Sequence, residues 1–214
     1  MSDIDRVVRA FVSSLEAPHD PATPNHLSPI LCVLTVLLSL DKRKPGYVEE
    51  RITALQSPDA GYGTLAVVRD TAEMLTPEKY FRMDPRDDGK RAGLLLPLLD
   101  RLIDELRDCQ GATEGERARA WATTARPSDW SFGPFRGLGL KGFQHLRQLL
   151  GANTVIPTKA HFAFVTKAVG RPVDGPEAVF LLERAAGRLG YDLAPISPQE
   201  WERMLSEATI QKAG

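Results

Sequence analysis

The chain has 214 residues, 43% of them hydrophobic, and its 27 Lys and Arg nearly balance 28 Asp and Glu for a formal net charge of −1. That size and apolar share fit a soluble protein of one or two compact lobes. The balanced charge excludes a globally basic binder of nucleic acid, so any such site has to be a local patch. The two cysteines, Cys32 and Cys109, match no metal-ligand spacing. No signal peptide is evident, and the apolar run Pro29–Leu40 is too short to cross a bilayer. A reducing cytoplasm is the expected home, with no membrane and no cofactor implied.

In chain order, Asp3 is placed to cap a first helix whose Ile4, Val7, Val8, Phe11 and Leu15 form one stripe. Residues 17–27 read as a connector. Ser28-Pro29 starts a helix over Pro29–Leu40 that is apolar nearly all round, which marks it as central to a core, with Cys32 a buried thiol. A charged loop, Asp41 to Pro45, follows. Amphipathic helices are expected over Tyr47–Gln56 and Thr64–Leu75, with a short helix start at Thr76-Pro77. Asp84–Gly89 reads as a charged connector, and Lys90–Asp108 as a helix striped by Leu95, Leu99, Leu102 and Leu106, which Pro97 should kink or delay. A further helix covers Glu114–Thr124. After it, Pro127–Phe135 carries the aromatics Trp130, Phe132 and Phe135 in a segment that Gly133 and Pro134 keep short or irregular.

The most informative stretch runs from Phe135 to Val169. Gly137-Leu138-Gly139 makes a tight turn and opens a helix from about Leu140 to Leu150, with Phe143, Leu146 and Leu150 on one face and Gly151 as a left-handed cap. Pro157-Thr158 then starts another helix bearing Phe162, Val165 and Val169. Between Trp130 and Val173 there is no Asp or Glu, while Arg136, Lys141, Arg147, Lys159, Lys167, Arg171, His145 and His161 all fall there. A basic stretch on a glycine turn that presents backbone N–H groups suits phosphate. Beyond it, Asp174–Glu177 and the capping box Ser197–Glu200 open two last helices. No run alternates strictly and no repeat occurs, so the class is all-α.

The order hydrophobic-x-Gly-hydrophobic-Gly-x-Lys, then a helix, then Pro-x-x-x-His at the next helix start, resembles the helix-hairpin-helix DNA glycosylases (the HhH-GPD superfamily), and within them the endonuclease III branch. The resemblance is concentrated in roughly forty residues, with helix order and length agreeing elsewhere. It implies a two-lobed helical fold with a DNA cleft between the lobes: one of residues 27–153 ending in the hairpin, the other of 1–26 plus 154–214. It also implies that the backbone of Gly137, Leu138 and Gly139, with Arg136, grips a phosphate of double-stranded DNA. Lys141 then stands at the position of the Schiff-base nucleophile. Lys42, Arg43 and Lys44 lie in the loop that probes the duplex, where Asp41 falls near the family's gap-filling glutamine. The departures are equally specific. Lys159 occupies the place of the essential aspartate, two residues before His161. No cysteine follows Cys109, so the family's iron–sulfur cluster is absent, and Gly142 and Phe143 replace the usual small or hydroxyl-bearing residues.

A glycosylase extrudes its target base and stabilises positive charge developing on the sugar, which is the work of a carboxylate. Lys159 opposes that charge. Two lysines in one pocket would instead lower each other's proton affinity and favour an amine nucleophile. The catalytic reading is therefore cleavage at damaged, abasic sites through Lys141, with Asp41, Asp129 or Asp174 as substitute acids and Asp41 the first choice. Two readings stand beside it: a non-catalytic DNA- or damage-binding pseudo-glycosylase, and a helical protein-interaction domain. Each site residue also has a plainer reading. Lys141 fits a solvated lysine at a helix start, the Asp41 loop a solvated connector, His161 a packing or hydrogen-bonding group, and most of the aromatics core packing.

Overall fold

A computed structural model describes residues 1–14, 28–40, 46–55, 63–81 and 85–210. The expected connector at 17–27 and the loop residues Asp41, Lys42, Arg43 and Lys44 lie outside them. Every regular element among the described residues is helical, and the class is all-α. In chain order the helices are α1 (Asp3–Ser14), α2 (Pro29–Ser39), α3 (Tyr47–Leu55), α4 (Leu65–Leu75), α5 (Pro77–Tyr80), α6 (Pro85–Arg107), α7 (Glu114–Thr124), α8 (Phe135–Leu149), α9 (Lys159–Val169), α10 (Gly175–Leu189) and α11 (Pro198–Ile210). A 3-10 turn at Pro127–Ser131 precedes α8. The chain divides into two compact units. One holds Met1–Pro24, Arg126–Ser128 and Asn153–Gly214, and the other holds Asn25–Ala125 and Asp129–Ala152.

The second unit, the middle of the chain, is built around α2. Its residues are apolar on every face because α3, α4, α6, α7 and α8 all pack against it. Ile30, Cys32, Val33, Leu34 and Leu37 are fully or almost fully buried. Ser28 stands extended ahead of Pro29, but its hydroxyl makes no cap hydrogen bond, so the proline with its preset φ begins the helix. Burial pushes the Cys32 thiol up to about 12, which keeps it protonated and unreactive. Helix α6 starts at Pro85, not at Lys90, so the segment expected as a charged connector is its first turns. A proline at the first helical position costs nothing, because its missing N–H is one that a helix start leaves unpartnered anyway. Pro97 is carried inside the same helix. The buried stripe Leu95, Leu98, Leu99, Leu102 and Leu106 holds α6 in place across the missing N–H.

The first unit packs α1 against α9, α10 and α11. At its centre Phe11 meets Phe164 at 5.3 Å and Trp201 at 5.7 Å between ring centroids. Ser2, rather than Asp3, caps α1, with its hydroxyl accepting from the Asp5 N–H and donating to the Asp5 carboxylate. Asp3 is thereby free to pair with Arg171 at 2.7 Å, while Asp5 pairs with Arg188 at 2.6 Å. The Ser2 hydrogen bonds, helped by Arg188, hold the Asp5 carboxyl down at about 2. Such exposed pairs add little stability one by one, but they fix where α1 lies on α10.

Replacement of the fully buried Phe143 by Ala should cost about 3–5 kcal/mol in a urea titration, through lost burial and the cavity left behind. Phe132, 61% exposed, should give less than about 0.5 kcal/mol when changed to Ala. Equal losses at the two positions would contradict this core.

Candidate functional site

The glycine turn expected from the sequence is a break within α8. Phe135–Leu138 form one helical turn, Gly139 leaves helical geometry at φ 65° and ψ 172°, and the helix resumes from Leu140. Ahead of it Gly133 also has positive φ, and two bonds close the approach: the Arg136 N–H donates to Gly133 O at 3.2 Å and the Gly137 N–H to Pro134 O at 3.0 Å. The turn is pinned from beneath. Phe135 and Leu138 are buried, and Phe135 stacks on Trp121 at 5.5 Å and tilts against Phe143 at 5.1 Å. Above this footing Arg136, Gly137 and Lys141 are exposed. A helix that restarts at Leu140 presents its first N–H groups without intrahelical partners, and those carry the positive end of its dipole. A side chain at Gly137 would meet Leu94 of α6 at 2.5 Å, so this turn also sits close on its neighbour.

The acid-free stretch is not acid-free in space. Arg171 is clamped between Asp3 and Glu177, both brought to it from outside the stretch, and these carboxylates raise its proton affinity further. Lys167 donates to Leu205 O at 3.3 Å. Arg147 is buried, its Nε donating to Ala122 O at 3.0 Å and a terminal nitrogen to Gln144 Oε1 at 2.8 Å. Three of the basic residues therefore serve the fold, and Arg136, Lys141 and Lys159 remain exposed. Burial lowers the proton affinity of His145.

Lys159 is the first residue of α9, at the end of the helix where a cation is least favoured. His161 is not at the surface: it is 5% exposed and belongs to the cap of α9. The Thr158 N–H donates to His161 Nδ1 at 2.9 Å, so the proton of the neutral ring sits on Nε2. That nitrogen is buried without a hydrogen-bond partner, and the ring stands at 87° to Trp201 with centroids 4.4 Å apart. Burial lowers the imidazole from 6.5 to about 4. This placement is the packing and hydrogen-bonding role at a helix start that is the plainer reading of His161, in the position where Glu or Gln usually closes a capping box. Lys141 belongs to the unit built on α2, whereas Lys159 and His161 belong to the unit built on α1.

Of the substitute acids, Asp174 accepts from the Glu177 N–H at 2.8 Å and caps α10. Asp129 lines a pocket with Phe132 and Phe135. Arg101, Glu105 and Thr124 of that pocket carried no functional signal in the sequence. The Arg101–Glu105 spacing reads only as an i, i+4 pair on a helix face. Among the described residues no cluster of His, Cys, Asp or Glu forms a metal site, and no helix is long and apolar enough to cross a membrane. Comparison with protein-family models, curated proteins and solved structures finds no match to this chain.

Because the unfolded chain takes up the His161 proton near pH 6.5 and the folded one only near 4, stability should fall as pH drops through that window and level off below it. At about 1.4 kcal/mol per pKa unit the loss is on the order of 3 kcal/mol. His161→Gln, which can still accept from the Thr158 N–H, should flatten the slope in urea titrations between pH 7 and 4. A wild-type slope kept by this variant would assign the effect elsewhere. Lys159→Asp should stabilise on the order of 1 kcal/mol at low salt, since it exchanges an unfavourable for a favourable charge at the start of α9.

Proposed function

We propose that this chain is a DNA-binding protein of the helix-hairpin-helix glycosylase type, gripping duplex phosphate at Arg136–Lys141 and presenting the Lys141 amine to abasic sites. The observation that carries the reading is the helix break at Gly139, with buried Phe135 and Leu138 beneath it and exposed Arg136 and Lys141 above. A phosphate oxygen suits N–H groups at a restarted helix, and the two cations add sequence-independent affinity. The division of the chain, with one unit from its middle and one from both flanks, is in keeping with the two-lobed arrangement of that superfamily.

The chemistry assigned to Lys141 is limited by what stands at position 159. Base removal calls for a carboxylate near the sugar, and Lys159 supplies the opposite charge. At an abasic site the base is already gone. There the neutral amine attacks the aldehyde carbon of the opened sugar, a carbon–nitrogen bond forms, and water leaves to give an imine. The same Lys159 favours a second reading, in which the scaffold binds duplex or damaged DNA and performs no reaction.

Borohydride trapping on a duplex with one abasic site, beside gel-shift titrations over a salt series, separates the two. A covalent adduct that disappears in Lys141→Ala supports the lyase, and salt-sensitive binding without adduct supports the binder. Arg136→Ala should weaken binding to all sequences alike and lower the slope of log K against log salt by about one. Affinity that ignores salt, or no affinity at all, would overturn both readings.

A further inference from the structure

Among the described residues Phe132 is the most exposed aromatic, 61% open to solvent, although Phe135 three residues on is buried in the core. Its backbone is fixed from both sides. The Phe132 N–H donates to Asp129 O at 3.1 Å, and Gly133 follows with φ 52°. The Arg136 N–H then donates to Gly133 O at 3.2 Å. Standard bond lengths across that contact keep the Cα atoms of Phe132 and Arg136 within about 11 Å of each other. The ring also falls inside the stretch from Trp130 to Val173 that contains no Asp or Glu, and Arg136 and Lys141 are exposed in the same stretch. The pocket that Phe132 borders carries charges of both signs, Arg101, Glu105 and Asp129, and so does not itself select an anion.

A single exposed apolar side chain is ordinary in a folded protein. What distinguishes Phe132 is the conjunction of an aromatic face, an ordered turn and exposed cations within reach, which is how proteins hold unpaired nucleic-acid bases. A base within an intact duplex has both faces covered by its neighbours. A protein ring can stack on one only where that order is interrupted, at a bulge, a lesion or a single strand.

We propose that Phe132 stacks on an unstacked nucleobase of the strand whose phosphate rests on the turn at Arg136–Lys141, an inference that depends on the DNA reading above. The cations hold the backbone, and the ring takes the face of a base close by on the same strand. The same base face is offered by a single strand and by an interruption in a duplex.

The test is a fluorescence-anisotropy titration of the full chain with a short intact duplex, with the same duplex carrying a one-base bulge, and with one of its single strands. Phe132→Ala, which removes a side chain that is mostly in solvent, should weaken binding to the bulged duplex or the single strand by about 5- to 100-fold. It should change binding to the intact duplex by less than about twofold and leave the slope of log K against log salt unchanged, since no phosphate contact is lost. Phe132→Trp, which keeps an aromatic face, should bind as wild type does. A larger loss on the bulge assigns the ring to interrupted duplex, and a larger loss on the single strand assigns it to a free strand. Losses of equal size on all three DNAs would overturn the inference, as would a Trp variant as weak as the Ala variant. Salt-sensitive binding that Phe132→Ala leaves unchanged on every DNA would overturn this inference alone, whereas no binding to any of the three would overturn it together with the DNA reading.

Discussion

The absence of a Cβ at position 142 allows α8 to lie close on α2. A side chain there would come within 3.0 Å of Leu40 and 3.1 Å of Leu138. From that close approach follow the burial of Phe143 beside Trp121, the seating of Phe135 and Leu138, and hence the footing of the turn at Gly139. The turn rests on a packed base, and backbone hydrogen bonds to Gly133 and Pro134 close its approach. A ligand that meets the exposed side of such a turn finds backbone already ordered, so little conformational entropy remains to be lost on binding.

The two units spend charge in different ways. In the unit of α1, α9, α10 and α11, basic and acidic residues meet across long sequence separations, Arg171 with Asp3 and Arg188 with Asp5, and they orient helices. In the unit of α2, the turn leaves Arg136 and Lys141 exposed, and a separate pocket is lined by charges of both signs, Arg101, Glu105 and Asp129. Phe135 links the pocket to the turn, since it is a wall of the one and the first residue of the helix that the other interrupts.

Helix positions were legible wherever an apolar stripe and a cap coincided, as at Asp174–Glu177 before α10 and Ser197–Glu200 before α11. The turn at Gly137–Gly139 was legible because glycine marks positive φ, and Gly139 has it. The basic patch was over-read, because a count along the chain cannot register Asp3 and Glu177 arriving beside Arg171, or Arg147 turning inward to Ala122 O. The start of α6 was missed because its first turns are charged and include a glycine, which resembles a loop until Pro85 is recognised as a first helical residue. His161 packs and hydrogen-bonds at the helix start, which is the plainer of its two readings. Its spacing of three from Thr158 is that of a capping box, but histidine is not the residue in which that signal is usually sought. The pocket lined by Asp129 had no signature in the sequence, because its walls converge from four separate elements.

The helical packing also sets an order of assembly during synthesis. The unit of α2 is made from one stretch of chain in the middle, apart from three residues that belong to its neighbour, so it can collapse as soon as that stretch has left the ribosome. Helix α1 is made before every helix it packs on and has no completed core to join, since Phe11 rests on Phe164 and Trp201. At about 5–20 residues per second, that leaves its apolar stripe without native partners for on the order of ten to forty seconds. A helix synthesised before all of its partners is thus among the last to dock, and through that interval its solubility rests on the charged face that carries Asp3, Asp5 and Arg6.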